Sequence, residues 1–301
     1  MESSALVYIL LTVVTVLLAL CVDMEQQNTV GFTRGKARNA AAEVAVFCLL
    51  TGVSACRIAV GNDYWPYRNN FDLISQERHV SSEFGFNLIV RAMYSLFGYD
   101  HYIPVFALFS FLTVFFFVRA LHTQSMNYAM SLFLLMTGGY YFNSLNSVRY
   151  YLALAIALFC MKYVIGGEHE KFVLLILAGA MFHKSILLVI PVYWCAKFLA
   201  AAKLKRWHIA ALGTAAALTI LFGKNIIREI IFLFYPYYRN SEFDNGGISY
   251  VNVAKCLAVI AFCLIFGQKS LRENVQNRFY FVLNVLGLAV YCCGSFMPEI
   301  S

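Results

Sequence analysis

Long apolar runs with few charges in them decide what this chain can become. Ala5–Val22, Ala40–Val60, Tyr102–Val118, Asn127–Phe142, Val148–Ile165, Phe172–Phe198, His208–Phe222, Tyr250–Phe266 and Phe279–Phe296 are runs of this kind. A helix needs roughly 20 apolar residues to cross the hydrocarbon core of a bilayer. Of the 301 residues, 61% are hydrophobic and 13% charged, where soluble domains average about 45–50% and about 25%. One globular core cannot hide that excess, because core volume grows too slowly with length. The apolar surface must face lipid. The predicted fold is therefore all-α, a polytopic transmembrane helix bundle forming one integral-membrane domain over residues 1–301.

Phe172–Phe198 is too long for one comfortable span and is interrupted by His183-Lys184-Ser185 and Pro191. Two short or tilted passes with a break near His183 explain it, which brings the total to about ten passes. The charges support that choice. With the chain turning back at His183, Arg34, Lys36, Arg38, Arg119, Lys162, Lys171 and the cluster Lys197, Lys203, Lys205, Arg206 share one side. The positive-inside rule makes it cytoplasmic. The net charge of +7 thus belongs to short loops and implies no nucleic acid.

The N-terminus is then outside, as are the polar segments 61–82, 143–147 and 223–249. Met-Glu-Ser-Ser at the start lacks the positive n-region of a signal peptide, so Ala5–Val22 is expected to remain as a span. Glu83–Phe97 mixes Arg91 and Asn87 with apolar residues and reads as an interfacial or re-entrant helix. Residues 61–98 and 223–249 are the two expected outer loops. The nine cysteines fall in or beside apolar runs with no CxxC pair, the pattern of small buried hydrophobes.

Charges on the outer side carry information, because the positive-inside rule does not explain them. Arg57 lies near the end of the second run. An arginine inside a span costs about 2.5–3.5 kcal/mol on insertion scales. It either snorkels to headgroups or binds an anion through its planar fork of donors. Asp63 follows in Gly61-Asn62-Asp63-Tyr64-Trp65-Pro66-Tyr67. It would orient Arg57, hold a sugar hydroxyl, or sit solvated. Tyr64, Trp65 and Tyr67 suit sugar stacking, but equally the aromatic belt of any membrane interface, and on those residues alone the belt is the better reading. Asn146 and Arg149 are three apart and share a helix face. They form either a polar cap or a second phosphate-binding arginine beside an amide. His183 sits at the break with Lys184 after it, as a packed histidine or as a base titrating near neutrality. The 223–249 loop carries Tyr237, Tyr238 and Arg239, and Lys255 enters the next span. That loop is an ordinary outer loop or a lid, and Lys255 would meet a phosphate or a partner carboxylate. P-loop, GxGxxG, HExxH and nucleophile-elbow motifs are absent, and no carboxylate pair or histidine cluster has metal-ligand spacing.

Four segments, in order, resemble the EpsG/Wzy-type polysaccharide polymerases. Arg57-Ile58-Ala59-Val60-Gly61-Asn62-Asp63-Tyr64-Trp65-Pro66-Tyr67 is similar to R-x-x-x-G-x-D-Y-x-x-Y, and Ser82-Glu83-Phe84-Gly85-Phe86 to an E-x-G-[FY] helix start. Asn146-Ser147-Val148-Arg149-Tyr150-Tyr151-Leu152-Ala153 is similar to N-x-x-R-Q-x-[LI]-A, and Leu177-Ala178-Gly179-Ala180-Met181-Phe182-His183-Lys184-Ser185 resembles an A-x-x-[FI]-H-x-S segment. Tyr150 stands where glutamine is common, so a donor expected beside Arg149 is missing. The chain stops soon after its last span where relatives continue, as a truncated or divergent member would.

The resemblance implies a GT-C-like membrane glycosyltransferase of the bacterial cytoplasmic membrane, its site facing the periplasm or exterior, with no metal and no other cofactor. The implied substrate is an oligosaccharide repeat on undecaprenyl diphosphate. Membrane lipids and a chain-length regulator protein are the other expected partners. The growing glycan would move from its carrier to the non-reducing end of a new repeat. His183, then Asp63, is the expected base. Arg57 and Arg149, helped by Lys184, Arg239 or Lys255, would hold the diphosphate, and Tyr64, Trp65, Tyr67, Glu83, Asn146, Tyr237 and Tyr238 the sugars. Three other readings stay open. A flippase needs a polar cavity reached from both sides, whereas the unusual charges cluster on one. A sugar acyltransferase would take its donor from the cytoplasmic side, opposite His183. A glycan ligase shares the chemistry and is not separated by sequence.

Overall fold

The computed structural model describes residues 2–23, 33–80, 82–98, 101–202 and 249–293, with Glu229, Phe232, Leu233 and Arg239 between them. Every regular element among the described residues is helical, so the chain is an all-α membrane helix bundle. Two compact units divide it, Met1–Val189 and Ile190–Ser301.

The first unit contains α1 (Glu2–Leu20), α2 (Arg34–Ala55), α3 (Tyr64–Ser75), α4 (Phe84–Phe97) and α5 (Ile103–Gln124). It continues through α6 (Tyr128–Thr137), α7 (Tyr140–Ser144), α8 (Val148–Gly166) and α9 (His169–Ala180) to a 3₁₀ turn, Lys184–Leu188. Two helix starts are capped by a short polar side chain. Thr33 accepts from the Lys36 N–H at 3.2 Å, and Asn127 from that of Met130 at 2.9 Å. Inside α1, hydroxyls turn back onto the helix, as Thr15 Oγ1 does to the Leu11 carbonyl at 2.7 Å. Thr15 is fully buried, so its hydroxyl needs a partner and takes one on its own helix.

Helix α5 packs against α2 and α8, α8 against α9, and α1 against α2 and α6. Val46, Leu50, Val114, Phe117, Leu132 and Met136 form the apolar core there. Toward the starts of α3 and α5 the core turns aromatic. The Tyr64 and Phe106 rings stack at 5.1 Å, Phe71 meets Phe106 at 5.0 Å, and Phe86 meets Phe109 at 5.4 Å. Such pairs add about 0.5–1.5 kcal/mol each beyond burial, and they seat α3 and α4 over the ends of longer helices.

The second unit contains α10 (Val189–Ala201), α11 (Tyr250–Phe266), α12 (Gln268–Glu273) and α13 (Val275–Cys293), with α10 entering it at Ile190. Arg278 on α13 ties it together, donating from Nε to the Ala200 carbonyl at 2.8 Å and from Nη1 to that of Arg272 at 2.8 Å. Asn284 donates to the Cys256 carbonyl at 3.0 Å.

Ile103–Gln124, Val148–Gly166 and Lys184–Ala201 are long and apolar enough to cross a membrane, and Ala5–Leu20, Phe84–Phe97, Tyr128–Thr137 and Tyr250–Phe266 are shorter apolar helices. Leu6, Ile9, Leu10, Val13 and Leu17 form an exposed stripe on α1, the surface a lipid-facing helix presents. The structure departs from the sequence reading in three places. The run Asn127–Phe142 is not one helix but α6 and α7, broken at Gly138-Gly139. The segment 61–82 is not all loop, since it contains α3. Helix α2 stops at Ala55 rather than Val60, which leaves Arg57 beyond its end. Gly98 closes the helix 84–97 with an N–H bond to the Tyr94 carbonyl. The expected break is present, because α9 ends at Ala180 and Met181, Phe182 and His183 precede the 3₁₀ turn. The expected span His208–Phe222 lies outside the described residues.

Candidate active site

Arg57 follows the C-cap of α2 and folds back under it. It is 6% exposed. Its Nη1 donates to the Ser54 carbonyl at 3.3 Å and to Ser54 Oγ at 3.1 Å, and Ser54 Oγ in turn donates to Ser110 Oγ on α5 at 2.7 Å. The guanidinium carbon lies 4.6 Å from the centre of the Phe106 ring. Nε and Nη2 are buried and have no hydrogen-bond partner among the described residues. Those two nitrogens form the side-on edge of the fork, the edge that fits a phosphate or carboxylate bidentately. Among the described residues no carboxylate pairs with Arg57. Tyr64, Tyr67 and Tyr141 are its electrostatic neighbours.

Past Arg57 the backbone turns sharply, with Ala59 at φ 53° and Gly61 at φ +84°. A Cβ on Gly61 would stand 2.5 Å from Asn146 Oδ1, so the turn needs glycine for its conformation and for its space. Asn146 then holds the next residue from both ends. Its Oδ1 accepts from the Asp63 N–H at 3.0 Å, and its Nδ2 donates to Asp63 Oδ2 at 3.2 Å. Burial pushes the Asp63 carboxyl above its usual range, and the charge of Arg149 pulls it back.

Arg149 lies in the first turn of α8 and Glu83 at the start of α4. Arg149 Nη1 donates to Glu83 Oε2 at 2.6 Å. Its guanidinium carbon lies 5.1 Å from the Phe86 ring centre and 5.9 Å from that of Tyr67. Tyr67 is thus a neighbour of both arginines. Glu83 Oε1 accepts from the Lys184 N–H at 3.4 Å and lies 3.8 Å from His183 Nδ1. Both ring nitrogens of His183 are buried without a hydrogen-bond partner among the described residues, and its ring meets Tyr150 edge-on at 5.6 Å. The start of α4 is clamped to the break before the 3₁₀ turn by a bond from the Gly85 N–H to the Met181 carbonyl at 2.9 Å.

The structure therefore gathers Arg57, Asp63, Asn146, Arg149, Glu83 and His183, with Tyr67 between the arginines. Lys184 joins through its backbone N–H. Tyr64 and Tyr67 are 1% and 7% exposed, which makes them core residues. Trp65, 55% exposed, is the ring left open for stacking. Glu83, expected to hold sugar, bonds Arg149. Arg239 pairs with Glu229 and Lys255 lies on α11, both in the second unit, while Tyr237 and Tyr238 lie outside the described residues. Sequence reading missed Ser54, Ser110 and Phe106. Ser54 was within reach of it, three residues before Arg57, but Ser110 is 56 positions from Ser54 in the chain and gave no local signal.

A helical membrane bundle with two arginines, two carboxylates and an imidazole at one cluster is equipped to bind an anion and move a proton. This chain belongs to the EpsG family, whose sequence model matches residues 43–301. Membership points to a polysaccharide-polymerase-like role, and to the membrane as its place. No curated protein and no solved structure matches the chain.

Proposed function

We propose that the chain is a polymerase of surface polysaccharide, working at the outer face of a bacterial cytoplasmic membrane on glycan carried by undecaprenyl diphosphate. The observation that carries the reading is Arg57, a buried cation whose side-on donor edge is unfilled, linked through Tyr67 to the Arg149–Glu83–His183 group. Burying a charge without a partner costs several kcal/mol, and a substrate phosphate would supply that partner.

In the reaction, a hydroxyl at the non-reducing end of a new repeat attacks the anomeric carbon of the growing chain. The bond from that carbon to the diphosphate oxygen breaks, and undecaprenyl diphosphate leaves with the electron pair. Arg57, and Arg149 beyond its bond to Glu83, stabilise the charge on the leaving oxygen without a metal. The hydroxyl proton passes to His183, with Asp63 as the second choice of base. Trp65 offers a face to a sugar ring, and the tail lies in lipid beside the bundle.

Purified protein given a synthetic lipid-diphosphate repeat is expected to produce a ladder of lengthened glycans. A single transfer onto a different acceptor would make it a ligase, and unlengthened, intact lipid would overturn the reading. Arg57→Lys keeps the charge but loses the fork. Its rate is expected to fall by about 10²–10³-fold; a wild-type rate would remove Arg57 from the diphosphate.

A further inference from the structure

Glu83 occupies the cap position of α4, yet its side chain makes no bond to that helix. It turns instead toward two other segments. Oε2 takes the Arg149 guanidinium at 2.6 Å, and Oε1 takes the Lys184 N–H at 3.4 Å and faces His183 Nδ1 at 3.8 Å. The carboxylate is 16% exposed and the imidazole 12%, so water does little to screen one from the other. Each carboxylate oxygen thus has one N–H contact, to Arg149 or to Lys184.

We propose that Glu83 is the positioning residue of this centre. Arg149 fixes the carboxylate, and the carboxylate fixes the ring of His183 through Nδ1, which leaves Nε2, buried and without a partner among the described residues, to take the proton of an acceptor hydroxyl once substrate opens the site. When Nε2 takes the proton, the imidazolium forms beside a carboxylate that is already oriented. The division of work resembles that of any acid–imidazole dyad, in which the carboxylate holds and stabilises the ring and is not itself protonated. The proposal rests on His183 being the base in the function proposed above. The separation of 3.8 Å closes to a hydrogen bond when substrate fills the site, as catalytic contacts often tighten on binding. The other groups facing the ring are Arg149 and Tyr150 from α8 and the neighbouring Lys184.

Two measurements on the full chain in nanodiscs test this. The first is an NMR titration of the histidines, with the His183 signal identified by its loss in His183→Gln. Glu83→Gln keeps one oxygen, enough to accept from Arg149, but loses the charge and the second acceptor. It is expected to lower the His183 midpoint by about 1 pH unit; an unmoved midpoint overturns the proposal. The second is kinetic. Glu83→Gln is expected to lower kcat by about 10²-fold with KM nearly unchanged, and to move the acidic limb of the pH profile downward. Glu83→Asp is expected to recover part of the rate. A loss confined to KM, or an unmoved profile, means that Glu83 touches substrate instead and overturns the proposal. If the midpoint moves but the wild type makes no ladder, the Glu83–His183 coupling stands and the polymerase reading fails.

Discussion

Arg57 is a residue that a stable fold would not choose. Its two unpaired donors are buried beside aromatic rings, and a neutral side chain of similar length would pack there with less penalty. Arg57→Met is expected to raise stability by about 1–3 kcal/mol while abolishing polymerisation; a thermal melt in detergent alongside a ladder assay checks both halves. Gly85 shows the opposite case. A Cβ there would stand 2.7 Å from Met181 Cβ and 2.8 Å from the Met181 carbonyl oxygen. Gly85→Ala is expected to destabilise the protein by about 1–3 kcal/mol and to reduce activity by shifting Glu83 from His183, read from the same two assays. Arg57, Arg149 and His183 stood out in the sequence because ionisable groups in apolar runs are costly and need a reason. The role of Glu83 did not stand out. A carboxylate at a helix start has an obvious local use, and only the fold brings residues 66 and more positions away to it.

Among the elements, α3 shows most clearly why pattern reading fell short. Asn69, Asn70 and Asp72 make the segment look like loop, and α3 has only 12 residues. Its buried positions Tyr64, Tyr67, Phe71 and Ile74 nonetheless recur every three to four residues, the helical period. Phe71→Ala is expected to cost about 3–5 kcal/mol, and Trp65→Ala less than about 0.5 kcal/mol, as denaturation of the two variants would report. The break at His183 was legible because polar residues interrupt an apolar run. That between α6 and α7 was not, since Gly138-Gly139 leaves the hydropathy of its run almost unchanged. Arg57 kept its importance although the helix expected to hold it ends two residues earlier.

For the whole molecule, the proposed orientation places the turn after α3 outside and the α8–α9 connection inside. In a background with the native cysteines replaced, Gln76→Cys is expected to react with an impermeant maleimide on spheroplasts. Glu170→Cys is expected to react only after lysis, and the reverse pattern would invert the topology. The class of fold was readable from composition alone, because nothing but lipid accommodates so much apolar surface. The assembly of the site was not, since it depends on α4 meeting the break before the 3₁₀ turn. That meeting also sets how the chain can diverge. At Gly179 an added methyl would press on the tip of Ile186 at 2.8 Å, and trimming that side chain would make room. At Gly85 the obstacle includes the backbone of Met181, which every amino acid shares, so no second substitution relieves it. Lineages descended from such a protein are expected to drift at position 179 in concert with 186 and to keep position 85 unchanged.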